Sequence, residues 1–313
     1  MPRWSHLQRH PVAAVFSSQK AFVGPVLGDP RLHRWGLHVA RVALADLAAA
    51  ARRRHATGPS TPAPLRTLRR DGIVVLPRFL QPARFERLRD EVRERVDELA
   101  RIHPPPTARA PGFGPRQPFE GGFDRYDGGS LNRFVDVDPA HTPIAHAFVR
   151  SPRLAALVEG ASGERYRPAK IAIQLLRHGN ARRHDLQTDL HRDTFHSAIK
   201  LWYFLTDVRP EHGPFTYVRG SHRLDLARYR WEHAKAVAHS RPDAPSHGGA
   251  FRIREAELPA LGLPPPEPLP VEANTLVIAD VRGFHRRSPG GAGAERLALH
   301  GSFRPSAFLP VMR

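Results

Sequence analysis

The chain has 313 residues, a formal net charge of +18 and no cysteine. The missing cysteines remove disulfides, thiolate nucleophiles and every sulfur-bearing zinc or iron–sulfur pattern, so any metal must be held by His, Asp, Glu or backbone oxygen. Only four of the 48 basic residues are lysines (Lys20, Lys170, Lys200, Lys235). A GC-rich coding sequence explains that skew better than selection for phosphate contacts does, and no specific nucleic-acid partner is expected.

Residues 36–54, rich in Ala and Leu, read as a helix closed by Arg52, Arg53 and Arg54, whose charges suit a helix C-terminus. The expectation is a packing helix with a solvated basic end, and weak peripheral membrane contact through 34–54 is the alternative. A transmembrane segment is not expected, because Arg41 and Asp46 interrupt the only near-candidate. With no secretory signal in view, a cytoplasmic location is expected. GPSTPAP (58–64) reads as a linker. Residues 1–60 are therefore an N-terminal helical extension with its linker, and 65–305 the main domain.

GIVVLP (72–77) is a short β-branched strand, and Phe85, Leu88, Val92, Val96 and Leu99 recur at the spacing of one helix face. The segment 103–122 is too rich in Pro and Gly to be an element. The loop 103–126, with Phe113, Phe119, Phe123 and Tyr126, is expected to pack or stay irregular, a substrate lid being the alternative. A second helix is expected over 141–160. Strands follow at 170–176, 198–207, 214–220, 274–280, 282–287 and 296–303, interrupted by a helix-prone excursion (223–239) and by loops at 241–249 and 258–270. Helices first and short strands after them give an α+β protein with an antiparallel sandwich or barrel.

No G-x-S-x-G, phosphate-loop, dinucleotide-glycine or H-E-x-x-H pattern occurs, which leaves histidines and carboxylates. In DLHRDTFH (189–196), His191 and Asp193 stand at i and i+2. On a strand they share a face, with Cα atoms about 7 Å apart. They head the most hydrophobic strand block of the chain, where a buried charge needs a metal or partner. His285 follows the apolar strand NTLVIAD, and Arg296 begins another strand 11 residues later. Two imidazoles and one carboxylate on one face of an ion leave three positions open, as in non-haem Fe(II) oxygenases. An arginine fork beside them suits the distal carboxylate of a 2-oxoacid. His184, His196 and His222 compete as ligands but lack the paired carboxylate and the downstream arginine.

Residues 65–304 resemble the phytanoyl-CoA dioxygenase family, Fe(II)/2-oxoglutarate oxygenases on a double-stranded β-helix. RRDGIVVLPRFLQPARFERLRDEV is similar to the family's opening strand and helix, and GPFTYVRGSHR to its Gly-Pro-[apolar]…Gly-Ser-His turn. Arg219 stands where the family has proline in that turn, which bears on loop conformation more than on chemistry. The resemblance implies an α+β fold with a double-stranded β-helix (jelly-roll, cupin-like) core and N-terminal helices packed on one sheet. It implies Fe(II) at His191, Asp193 and His285, with O2 and the cosubstrate 2-oxoglutarate at Arg296, beside Trp202. Arg133 falls where the family has a basic residue near the cosubstrate, and Gln174 lies on the strand before the metal pair. A family serine two residues beyond the second histidine is replaced by Arg287, with Ser288 one step later as the candidate contact. Lys200 reads as a rim residue, a charge on the cosubstrate side being the alternative.

The implied activity is hydroxylation of a small-molecule substrate, with anionic and lipid-like molecules among the candidates, coupled to decarboxylation of 2-oxoglutarate to succinate. Asp193 favours hydroxylation over halogenation, since halogenating relatives lack that carboxylate. The alternative is a non-catalytic binding or regulatory protein on the same fold. Loops 103–126 and 223–270 would carry the substrate contacts, and their composition names no ligand.

Overall fold

The computed structural model describes residues 11–56, 61–105, 114–179, 184–241, 243–244 and 248–310. Three helices, α1 (Pro11–Val15), α2 (Pro30–Arg34) and α3 (Leu37–Ala56), come first in the described chain. Helix α4 (Ala63–Asp71) ends at Gly72, whose φ of 81° turns the chain into strand β1 (Ile73–Leu76). Helix α5 (Pro82–Ile102) buries Phe85, Leu88, Val92, Val96 and Leu99, the face its periodicity requires.

The rest of the chain supplies β2 (Gln117–Phe119), β3 (Gly122–Asp127), β4 (Ser130–Asp136), α6 (Pro143–Val149), α7 (Pro152–Ser162), β5 (Ile171–Arg177), β6 (His191–Arg192), β7 (Ile199–Phe204) and β8 (Phe215–Tyr217). After α8 (Leu226–His239) come β9 (Phe251–Arg252), β10 (Glu267–Leu269), β11 (Thr275–Asp280), β12 (His285–Arg287) and β13 (Glu295–Phe303). They form two antiparallel sheets, ordered β1-β11-β7-β13-β5-β4-β3-β2 and β10-β8-β12-β6-β9.

Alternation along β7 shows how the layers divide. Ile199, Leu201 and Tyr203 join the core under α5, α6 and α7, whereas Trp202 and Phe204 turn inward to meet Phe215 and Tyr217 of the smaller sheet. The inner layer between the sheets is the interior of a double-stranded β-helix, and the α+β expectation holds. Helix α3 lies against α7 and α8, and buries His38, Val42, Ala45, Ala49 and Arg52 at helical spacing.

Three expectations need correction. The helix expected over 141–160 is two, because Pro152 disfavours helical backbone at Ser151 and has no N–H to continue the ladder. The segment 103–122 contains β2; Pro118 is tolerated there because β2 is the edge strand. Residues 106–113, including Phe113, lie outside the described residues. The basic end of α3 is not all solvated: Arg52 is buried and donates to the carbonyls of Ser306 and Leu309, and Arg53 reaches Ser197 Oγ at 3.3 Å. No described helix is long and apolar enough to cross a membrane.

Candidate metal centre

Strand β6 is only two residues long, held between β12 and β9, and its register sets His191 directly opposite His285. The ring centroids are 4.6 Å apart. The next residue but one, Asp193, is anchored by its N–H to the Val281 carbonyl at 2.9 Å, which turns its side chain toward both rings. Asp193 Oδ1 lies 3.5 Å from His191 Nε2 and 3.8 Å from His285 Nε2. All three residues are buried, and their donor atoms lie within 4.8 Å of one another.

The outer nitrogens decide the protonation state. His191 Nδ1 donates to the Asp189 carbonyl at 2.6 Å, and His285 Nδ1 to the Gly283 carbonyl at 2.9 Å. A carbonyl only accepts, so each ring carries a proton on Nδ1 and turns Nε2 toward the centre. His285 Nε2 is buried without a hydrogen-bond partner. Burial, reinforced by His191, pushes the His285 imidazole down to about 3, so it stays neutral. Two imidazole Nε2 atoms and a carboxylate oxygen thus converge on one point, an arrangement that a cation at their centre completes. The donor set fits Fe(II), and carbonyl acceptors on the far side of both ligand histidines are what such sites require.

The charges around Asp193 are equally specific. Burial alone would raise its carboxyl, but Lys200 foremost outweighs that and holds it well below the usual carboxylate range. Lys200 Nζ stands 2.6 Å from Oδ2 and Arg304 Nη2 3.3 Å from the same oxygen, while Lys20 Nζ donates to the Asp193 backbone carbonyl at 2.7 Å. Lys200 is therefore no rim residue. Lys20 and Arg304 escape sequence reading altogether, since nothing local to either points at position 193.

Arg296 faces inward from β13, two alternations from His300. It is buried, its guanidinium donates to the Gly213 carbonyl, and the nearby Asp185 pairs with Arg287 instead, at 3.2 Å. Burial, with repulsion from Arg287, pushes Arg296 down to about 9, the signature of a buried cation short of an anion. Trp202 stacks on His300 with centroids 5.2 Å apart and packs on Phe215 at 4.6 Å, whose ring lies 5.5 Å from His285. One aromatic wall thus runs from the metal ligands to the strand that carries Arg296.

Residues 68–287 match the phytanoyl-CoA dioxygenase family. The chain belongs to that family. With the donor set above, this makes it a non-haem iron enzyme that uses 2-oxoglutarate. Among solved structures the family member is similar to the α-ketoglutarate-dependent epimerase SnoN from nogalamycin biosynthesis, at 21% identity over 78% of this chain and 85% of that one, with a TM-score of 0.45. It is also similar to AviO1 from Streptomyces viridochromogenes Tue57, at 19% identity over 80% and 97% with a TM-score of 0.45. A third is HygX from Streptomyces hygroscopicus with nickel and 2-oxoglutarate bound, at 19% identity over 79% and 88% with a TM-score of 0.43. No curated protein matches the chain.

The remaining candidates of this family member separate by strand parity. Gln174 faces inward on β5 and donates to Asn132 Oδ1 at 3.0 Å, so it borders the same interior. Arg133, the neighbour of Asn132 on β4, points the other way. Its guanidinium grips Asp124 at 2.8 and 2.9 Å, donates to the His103 carbonyl and covers the Phe119 ring, which puts it behind the large sheet rather than at the cosubstrate. Ser288 is likewise turned away: its Oγ bonds Thr216 Oγ1 at 2.7 Å, on the side opposite Phe215 and Tyr217. The inward place belongs to Arg287, which pairs with Asp185 and, at 3.5 Å, Asp127. His184 pairs with Asp189 near the surface, His196 bonds the Ser197 carbonyl and His222 the Arg69 carbonyl, so none joins the triad. A separate cavity of about 490 Å³, lined by Asp46, Arg53, Arg69, His222, Asp280 and Arg282, contains no triad residue.

Proposed function

We propose that the chain hydroxylates a small molecule, consuming O2 and 2-oxoglutarate and releasing succinate and carbon dioxide. The observation that carries this reading is the complete donor set: two imidazoles and an ionised Asp193 around one point, with the inward guanidinium of Arg296 on the same interior. Bound iron supplies the oxidative chemistry, in which one oxygen atom of O2 enters succinate and the other the substrate. The protein's own residues position. His191 and His285 hold their lone pairs inward through carbonyl hydrogen bonds, Asp193 supplies the single negative charge, and Arg296 is free to pair with the distal carboxylate of the cosubstrate. Trp202 and Phe215 keep water from the space between them.

Anaerobic titration with Fe(II) and 2-oxoglutarate tests this directly. A weak visible charge-transfer band of a chelated 2-oxoacid is expected, and its absence from well-loaded protein removes the reading. Succinate release screened across metabolite pools then finds the substrate, and incorporation of labelled O2 into product separates hydroxylation from epimerisation or ring closure. A protein that forms the band yet releases succinate with no metabolite would be a binding protein on this fold.

A further inference from the structure

Asp193 divides its two oxygens between two tasks. Oδ1 faces both imidazole Nε2 atoms, at 3.5 and 3.8 Å, and Oδ2 accepts from Lys200 at 2.6 Å and from Arg304 at 3.3 Å. A carboxylate oxygen has two lone pairs, and two cationic donors occupy both of those on Oδ2. Lys20 adds a third cation by holding the backbone carbonyl of the same residue at 2.7 Å. Lys20 and Arg304 lie outside residues 68–287, the span that matches the family.

We propose that Lys200 and Arg304 are positioning residues that clamp Oδ2, so that Asp193 ligates the metal through Oδ1 alone and a coordination position stays open. The proposal rests on the iron reading above. A carboxylate that closed on the metal with both oxygens would fill one more position. With two histidines and a chelating 2-oxoacid already bound, none would remain for a small diatomic ligand. The choice of side chain fits the task. Lysine is rare in this chain, four residues against 44 arginines, and two of the four converge on Asp193. An ammonium is a compact point charge that engages one oxygen. A guanidinium fork at position 200 would pair bidentately and take Oδ1 from the metal.

Nitric oxide binding to the Fe(II)·2-oxoglutarate protein, read by electron paramagnetic resonance, reports the open position without turnover. In Lys200→Met the charge-transfer band is expected to persist while nitric oxide affinity falls about tenfold or more, and Arg304→Gln is expected to shift it in the same direction by less. In Lys200→Arg the metal affinity itself is expected to fall about tenfold or more, measured by anaerobic titration. A merely structural cation at 200 predicts the reverse, rescue by arginine. Nitric oxide binding in Lys200→Met equal to wild type, or metal binding in Lys200→Arg equal to wild type, overturns the clamp. Should the position-200 variants fail to fold, the exposed-side variant Arg304→Gln decides it alone, and unchanged nitric oxide affinity there overturns the proposal. Failure of the wild type to form the band overturns the iron reading instead, so the two outcomes are distinct.

Discussion

Asp193 and Glu232 are both buried carboxylates ringed by cations, and they lie on either side of the same short strand. Glu232, on α8, has both oxygens taken. Oε1 accepts from Arg192 at 2.8 Å and from Arg228 at 3.1 and 3.2 Å, and Oε2 from Arg192 at 2.7 Å and His38 at 2.9 Å. Asp193, the neighbour of Arg192, has only Oδ2 held by cations, and its Oδ1 looks at the Nε2 atoms of two imidazoles. The first cluster is closed and ties α3 and α8 to β6. The second is held ready for an ion. Completed pairing marks structure, and pairing stopped half-way marks function.

Breaking the open cluster should have the largest effect. His285→Ala is expected to abolish Fe(II) binding and the 2-oxoglutarate band, and it also costs metal-free stability, because the ring is buried against His191 and Phe215 and bonded to the Gly283 carbonyl. Fe(II) binding retained at the wild-type level would contradict the contrast. Glu232→Gln breaks the closed cluster and leaves Arg192 and Arg228 buried without a counter-charge. A cost of about 3–5 kcal/mol is expected, read by denaturant unfolding of metal-free protein. Arg296→Leu should raise the 2-oxoglutarate concentration needed for the band about tenfold to a hundredfold, with Fe(II) affinity little changed, since a charge-assisted pair contributes about 1.5–3 kcal/mol. Equal effects on both ligands would count against its assignment.

The smallest effect concerns pH. Burial pushes His38 down to about 4, and although burial would raise Glu232, Arg192 and its fellow cations hold it well below the usual range. Both groups therefore bind protons more readily in the unfolded chain, whose histidine titrates near 6.5 and glutamate near 4.3. Stability is fully present above about 6.5 and falls as pH drops toward 4, by at most about 1.4 kcal/mol per pH unit for each proton taken up. Unfolding free energy measured across that window should slope less in His38→Gln than in wild type, and parallel curves would remove His38 from the account.

The periodic features were legible because their cause is local. Five apolar residues at helical spacing predicted α5, and β-branched runs predicted β1, β7 and β11. The triad was legible for a mixed reason: His191 and Asp193 share a strand face by parity, His285 stands just after the apolar strand NTLVIAD, and the family resemblance joined the three at one ion. Arg133 and Ser288 failed by a single step of alternation. A sequence shows that neighbours on a strand face opposite ways, but not which face is inside, and here Asn132 and Arg287 took the inward places. β2, β9 and β10 were missed because two or three residues between prolines and glycines carry no period of their own; neighbouring strands impose their conformation. β3 and β4 were missed as well, because the residues they bury include Asp124, Asp127, Ser130, Asn132 and Arg133, which hides any apolar alternation.

By itself the amino-acid sequence determined which residue types were available for chemistry, where helices and long strands run, and which family the pattern resembles. Tertiary structure decided which oxygen of Asp193 meets the imidazoles, which cations hold the other, and that residues before the family span and after it reach the same residue, Lys20 its backbone carbonyl and Arg304 its carboxylate. The physical reason is range. Backbone propensity and side-chain period act over a few residues, whereas a charge such as Lys20 finds Asp193 only after the whole chain has folded between them.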